Sequence, residues 1–228
     1  MTSARQRQRP ITNPLALAVL TLLFERPMHP YEMAATLRLR QKDASIKLNY
    51  GSLYTVVDQL QRAGFIVPQE TSRDGRRPER TTYAITDAGL DRMRDWMRDL
   101  VRRPAKEYPR FEAAISLLGV LHPDEAADLL EERATRLEAS IGEQRRGVDE
   151  ALEQGLPRLF MLESEYEMAM LSAELAWVRG IARQIREGEL PGLGLWRGFH
   201  DGNLRVEYTP ETGLRVVRRG EGEEGAMT

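Results

Sequence analysis

Apolar residues fall on helical spacings along most of this chain. From Asn13-Pro14 onward, Leu15, Ala18, Val19, Leu22 and Leu23 mark one face of a helix. Asn13 suits the N-cap, Pro14 suits the first helical position, and Arg26-Pro27 stops the segment. A second helix is predicted from His29-Pro30-Tyr31, with Met33, Leu37 and Leu39 as its apolar positions. A polar connection at 41–48 leads to a third. There Leu53, Val56, Val57 and Leu60 recur at i, i+3, i+4 and i+7, and Gly64 stands as a left-handed C-cap.

The period then changes. Phe65 to Gln69 reads as extended, Asp74-Gly75 and Pro78 carry turn chemistry, and Thr81 to Ile85 alternates. This predicts a hairpin with a basic tip. Thr86 next caps a helix whose expected face is Leu90, Met93, Met97, Leu100 and Val101, with Trp96 beside it. Three helices and a basic hairpin are the layout of a winged helix-turn-helix, with the third helix exposed and the hairpin as the wing.

Residues 102–108 contain Arg-Arg-Pro and read as a hinge. A short helix is predicted from Phe111 to Val120, and Pro123 opens a long one. Ala127, Leu130, Ala134, Leu137, Ile141, Gln144, Val148 and Ala151 step alternately by 3 and 4, a heptad seam with one polar interruption at Gln144. The next helix, about 159–187, is apolar on two faces. One carries Leu159, Leu162, Tyr166, Ala169 and Ala173; the other carries Leu171, Leu175, Val178, Ala182 and Ile185. A helix apolar on two sides lies between two partners, and a second subunit is expected as one of them. Leu130, Leu137, Ile141, Val148, Leu171, Leu175 and Val178 are therefore the expected dimerisation residues. Residues 191–228 are glycine-rich, with alternation at Leu204, Val206 and Tyr208 and again at Leu214 and Val216 that allows a small hairpin.

The expected organisation is mainly α. Residues 1–12 form a mobile basic N-terminus, 13–101 a winged helix-turn-helix of three helices and a two-stranded wing with its following linker helix, 102–190 an α-helical dimerisation domain, and 191–228 a tail. Charge sharpens this division. The net charge of the 228 residues is −2, but residues 1–90 hold 13 Lys+Arg against 8 Asp+Glu, and the remainder holds 20 against 27. A basic half that meets a polyanion, joined to an acidic half that does not, fits this asymmetry. There is no Cys, which excludes disulfides, thiolate metal sites and cysteine nucleophiles. No run approaches the ~20 apolar residues of a membrane span, and a cytoplasmic location is expected.

The wet face of the third helix carries Ser52, Tyr54, Thr55, Asp58, Gln59 and Arg62, where a merely solvated helix would carry Glu and Lys. Hydroxyls and carboxamides reach base edges, so Ser52, Thr55 and Gln59 are candidate reading residues. Tyr50 and Tyr54 can donate to phosphate, and Lys47 and the helix N-terminus favour anions. Arg73, Arg76, Arg77 and Arg80 place four guanidiniums on the hairpin, of which Arg76 and Arg77 directly follow the turn. Tyr31 is a further backbone-contact candidate, with a boundary role as the alternative. Asp58 is the unfavourable member on a phosphate-facing helix unless Arg62 pairs with it.

Catalysis finds little support. His29, His122 and His200 lack metal-ligand spacing, so no metal or cofactor is expected. In Gly192-Leu-Gly-Leu-Trp-Arg-Gly198, Arg197 stands where a dinucleotide loop needs its third glycine.

Three separated motifs keep their order and spacing. They are Leu22-Leu-Phe-Glu-Arg-Pro-Met-His-Pro-Tyr-Glu32, then Gly51-Ser-Leu-Tyr54 with Leu60 and Ala63-Gly-Phe-Ile66, then the basic wing with Tyr83-Ala-Ile-Thr-Asp-Ala-Gly89. Over about residues 13–101 the chain resembles the PadR family of bacterial transcriptional regulators. It departs from the family at Pro30, where Gly is usual, and at Val57-Asp58-Gln59, where basic residues are frequent. The helical second half is similar to the dimerisation region of the family's longer members. The resemblance implies a homodimeric regulator on a double-stranded, pseudo-palindromic operator. It also implies a small aromatic effector near the dimerisation helices, where Trp96, Tyr108, Phe111, Phe160, Tyr166 and Trp177 are the available aromatics; ordinary core and dimer packing is the alternative for each. The rival functional reading is a small-molecule-binding or protein-interaction module that uses the winged helix only as a scaffold.

Overall fold

The computed structural model describes residues 13–43, 45–72, 80–209 and 213–218. The chain divides into two compact units, Met1–Glu107 and Tyr108–Thr228.

In the first unit, α1 (Pro14–Glu25), α2 (Pro30–Leu39) and α3 (Tyr50–Arg62) each begin on a side-chain cap. Asn13 Oδ1 accepts from the Leu15 amide, His29 Nδ1 from that of Tyr31, and Asn49 Oδ1 from that of Ser52. Such caps satisfy amides that the helix itself leaves without partners. α1 is buried more widely than its predicted stripe: Leu15, Ala16, Leu17, Val19, Leu20, Leu22 and Leu23 are all inside. It is the central helix, and its neighbours wrap it. Leu53, Val56, Val57 and Leu60 of α3 are buried against this core together with Met28, Met33 and Leu37.

Strands β1 (Ile66–Ser72) and β2 (Arg80–Ile85) pair antiparallel, with Ile66 opposite Ile85 and Pro68 opposite Tyr83. Proline has no amide to offer the ladder. The backbone of Tyr83 turns the other way and exchanges two hydrogen bonds with Met28, at 3.1 and 3.0 Å. The hairpin is thereby stitched to the segment between α1 and α2. A register irregularity follows between Pro68 and Glu70.

Helix α4 (Asp87–Arg102) is capped by Thr86, whose Oγ1 accepts from the Gly89 amide and donates to the Gly64 carbonyl. Its buried residues are Gly89, Met93 and Trp96, whereas Met97, Leu100 and Val101 are exposed. The inward face is thus rotated from the predicted one: Trp96 points into the core that Met97 was expected to fill.

The second unit contains α5 (Arg110–Ser116), a 3-10 turn at Leu118–Val120, and α6 (Pro123–Glu153). A second 3-10 turn, Arg158–Met161, leads into α7 (Leu162–Glu187). Helices α6 and α7 run antiparallel. Arg186 pairs with Asp128 and Glu131, while Arg179 reaches Glu138 at 2.6 Å. Between them, Ala127, Leu130, Ala134 and Leu137 pack with Val178, Ala182 and Ile185. Gly188 ends α7 in the left-handed conformation.

The glycine-rich stretch 192–198 is helical from Leu193 onward, with Gly192 as its left-handed cap. It forms most of α8 (Leu193–His200), which is followed by the antiparallel pair β3 (Leu204–Thr209) and β4 (Gly213–Arg218). Leu193 is buried in the core shared by α6 and α7, and Trp196 Nε1 donates to the Leu121 carbonyl at 2.8 Å. Packing outweighs the poor helix propensity of Gly194 and Gly198. Among the described residues, no helix is long and apolar enough to cross a membrane.

Candidate nucleic-acid interface

The burial of Leu53, Val56, Val57 and Leu60 fixes what α3 shows outward. At about 3.6 residues per turn, the strip directly opposite carries Gly51, Thr55, Asp58 and Arg62. All four are exposed. Tyr54 and Gln59 are exposed on its flanks, and Ser52 is half-buried at the shoulder. Thr55 Oγ1 donates to the Gly51 carbonyl at 2.9 Å, so its methyl group and lone pairs face outward. Arg62 Nη2 donates to Asp58 Oδ2, also at 2.9 Å. The pairing that the sequence demanded for Asp58 is present. Lys47 is exposed just ahead of the helix N-terminus.

A second cluster lies where α2 meets the start of α3. The rings of Tyr31 and Tyr50 stack with centroids 6.1 Å apart and planes 11° from parallel. Arg38 Nη1 donates to the Tyr50 hydroxyl at 2.9 Å, and its guanidinium carbon lies 4.7 Å from the ring centre. Tyr31 is thus a surface residue rather than a core one. Arg38 is a functional candidate that sequence reasoning missed. In sequence it looks no different from Arg26 or Arg40. In the structure those two are taken up by carboxylates. Arg40 grips Glu25 with two hydrogen bonds, at 2.5 and 2.7 Å, and Arg26 binds Glu32. These bonds hold Glu25 and Glu32 below the ordinary glutamate range. Arg38 is bonded to a phenol instead, so its charge stays available to an anion.

The wing base adjoins this surface. Tyr83 of β2 is half-buried, and its phenol is raised first by burial and then by the nearby Asp58 and Tyr54. Arg80 is the first residue of β2. Arg73, Arg76 and Arg77, expected at the wing tip, lie outside the described residues.

The residues expected at a dimer interface divide into two groups. Leu130, Leu137 and Val178 are buried inside a single chain, where α6 and α7 close on each other, and Ile141 and Val148 of the same seam are buried as well. Leu171 and Leu175 are half-buried against that core. The heptad seam therefore has its partner within the chain. The other face of α7 does not: Leu162, Tyr166, Met170 and Trp177 are exposed at helical spacing, preceded by Leu159 and Phe160.

The expected effector aromatics are dispersed. Trp96 is 7% exposed and committed to the core of the first unit, with the Arg92 guanidinium over its ring. Tyr108 and Tyr166 are open at 86% and 69%. Phe111 and Trp177 do meet, edge to face, with centroids 6.1 Å apart. Phe111 also lines a groove of about 410 Å³ with Ile115, Leu118, Leu129 and Leu130, and the Arg133 guanidinium lies 3.6 Å over its ring.

An exposed polar helix beside a two-stranded wing, on a core of three helices, defines a winged helix-turn-helix DNA-binding protein. Residues 19–95 match the model of the Transcriptional regulator PadR-like family. The matched stretch is thus similar to the DNA-binding unit of transcriptional regulators. Three solved structures extend the likeness of fold beyond the matched residues. Bacillus subtilis PadR in complex with operator DNA is 19% identical, with a TM-score of 0.61 over 76% of this chain and 99% of that one. The same protein in complex with p-coumaric acid is 17% identical, with a TM-score of 0.60 over 78% and 99%. A PadR-like regulator from Bacillus cereus is 16% identical, with a TM-score of 0.51 over 77% and 99%. No curated protein matches the chain.

Proposed function

We propose that this protein is an effector-responsive repressor that binds a pseudo-palindromic operator as a homodimer. The observation that carries the reading is the outward strip of α3, polar and held in place by a fully buried apolar face. Two copies would set their α3 helices in successive major grooves, about 34–36 Å apart, with the wings on flanking backbone. Thr55 and Gln59 are the reading residues, with Ser52 at the shoulder. Tyr31, Tyr50, Tyr54, Lys47 and Arg38 take phosphates, and Arg73, Arg76, Arg77 and Arg80 of the wing do the same.

The exposed face of α7 supports the homodimer, because it is the apolar side that the fold of one chain leaves open. The groove at Phe111 supports an aromatic effector of the class that the related Bacillus subtilis structure holds. Its occupation would move α5 against α6 and alter the spacing of the two reading helices.

The test is a titration of duplex DNA from upstream of the protein's own gene at several salt concentrations. A regulator shows a steep salt slope together with a sequence preference. Binding that is equal for all duplexes at every salt concentration would refute the operator reading.

A further inference from the structure

Asp58 is the one carboxylate on α3 and Arg62 the one cation, so the helix carries no formal side-chain charge. Both residues lie on the central outward strip, the part that enters a major groove deepest. An exposed pair of this kind adds little to stability, so folding gives no reason for a carboxylate at that place. Attraction to phosphate gives none either, since the charge has the wrong sign.

Base chemistry does give a reason. A carboxylate only accepts hydrogen bonds. In the major groove, guanine presents acceptors at N7 and O6, and thymine presents one at O4 beside a methyl group; adenine has an amino donor with the N7 acceptor next to it. Cytosine alone offers an amino donor with no acceptor on its own edge. Arg62 occupies Oδ2 of Asp58 and leaves the other oxygen to accept. The i to i+4 geometry also cancels the repulsion that a bare carboxylate would feel from the DNA backbone. Tyr54 and the Tyr83 phenol lie near Asp58, whose side chain is nevertheless 60% exposed and open outward. Gly51 has no side chain, and Thr55 has turned its hydroxyl back onto the Gly51 carbonyl.

We propose that Asp58, oriented and neutralised by Arg62, is a specificity-determining residue that accepts a hydrogen bond from a cytosine amino group in each operator half-site. The inference rests on α3 being the reading helix.

Selection from a randomised duplex library, with the full-length chain, tests it. The wild type should enrich cytosine at one symmetry-related position of each half-site, by roughly 5- to 150-fold over the other bases. Asp58→Asn should shift that position toward adenine, because a carboxamide pairs with adenine N6 and N7. Asp58→Ala should lose the preference there and keep it elsewhere. Arg62→Ala should keep the cytosine and weaken binding to every sequence. If Asp58→Ala selects the same sites as the wild type and binds all of them more tightly, Asp58 is only a repelling charge and the proposal fails. A wild type that selects no site at all would instead overturn the reading of α3 itself, and this inference with it.

Discussion

Gly89 rests against the main chain of Phe65: a Cβ built on Gly89 would stand 2.1 Å from the Phe65 carbonyl oxygen and 2.8 Å from Ile85 Cγ1. The same carbonyl accepts the Thr86 amide, so the first turn of α4 is pressed onto the start of the wing. Backbone cannot give way as a side-chain tip can. Gly89→Ala should destabilise the first unit by about 1–3 kcal/mol or more, the range of overpacking. Urea unfolding monitored by Trp96 fluorescence would measure it, and an unchanged midpoint would contradict the described contact.

Arg38 should act on phosphate and not on sequence. Arg38→Ala is expected to weaken binding to all duplexes by a similar factor and to lower the salt slope by about one counterion. Tyr50→Phe removes the hydroxyl that orients Arg38 and should show a smaller effect of the same kind. A changed base preference in either variant would mean that Arg38 reads sequence.

Acid should loosen the joint between α1 and α2. Glu25 and Glu32 have pKa values lowered by Arg40 and Arg26. A carboxylate depressed in the folded state stabilises fully above its unfolded value of about 4.3, and that contribution disappears as pH falls through the lower folded value. Both pairs are more than a third exposed, so the effect is modest. Glu25→Gln and Glu32→Gln should therefore be slightly less stable than wild type at pH 7 and no less stable once both carboxylates are protonated. Thermal melts across that range would check the convergence.

The two faces of α7 should respond differently. Ile185 is fully buried between α6 and α7, and Ile185→Ala should cost about 2–5 kcal/mol of stability. Met170 is more than half exposed, and Met170→Glu should leave the melting temperature nearly unchanged while lowering the sedimentation coefficient toward that of a monomer. A variant that remains dimeric would exclude this face as the subunit contact.

Gln144 interrupts the apolar seam of α6, and its Oε1 is buried without a hydrogen-bond partner. An orphan of this kind costs about 1–3 kcal/mol. Gln144→Leu should raise the stability of the second unit by about 1 kcal/mol, read as an upward shift in its thermal transition.

Much of this fold was legible because its strongest signals are local. The i, i+3, i+4, i+7 run of Leu53, Val56, Val57 and Leu60 named both the helix and its buried side, and Asn13, His29 and Thr86 marked helix starts within a residue. Periodicity, however, names a buried face without naming its partner. Leu130 and Leu137 read as a subunit seam because Val178 and Ile185 lie some fifty residues on, and no local pattern joins them. α8 was hidden by Gly194 and Gly198, whose low propensity is overcome by Leu193 and Trp196 packing from afar. Trp96 was displaced by one helical position, a shift too small for a pattern to resolve in a helix apolar at 93, 96 and 97. Arg38 was invisible for another reason: its role depends on Tyr50, which reaches it across the turn between two helices.

The closure of α6 on α7 also sets an order of events. A seam completed inside one chain lets each copy reach its folded shape before it meets another, unlike obligate dimers that have no stable single subunit. In the proposed homodimer, assembly then draws on the exposed face of α7. Dilution of that homodimer should separate the copies without melting them, which would make the amount of protein a control on operator occupancy in its own right.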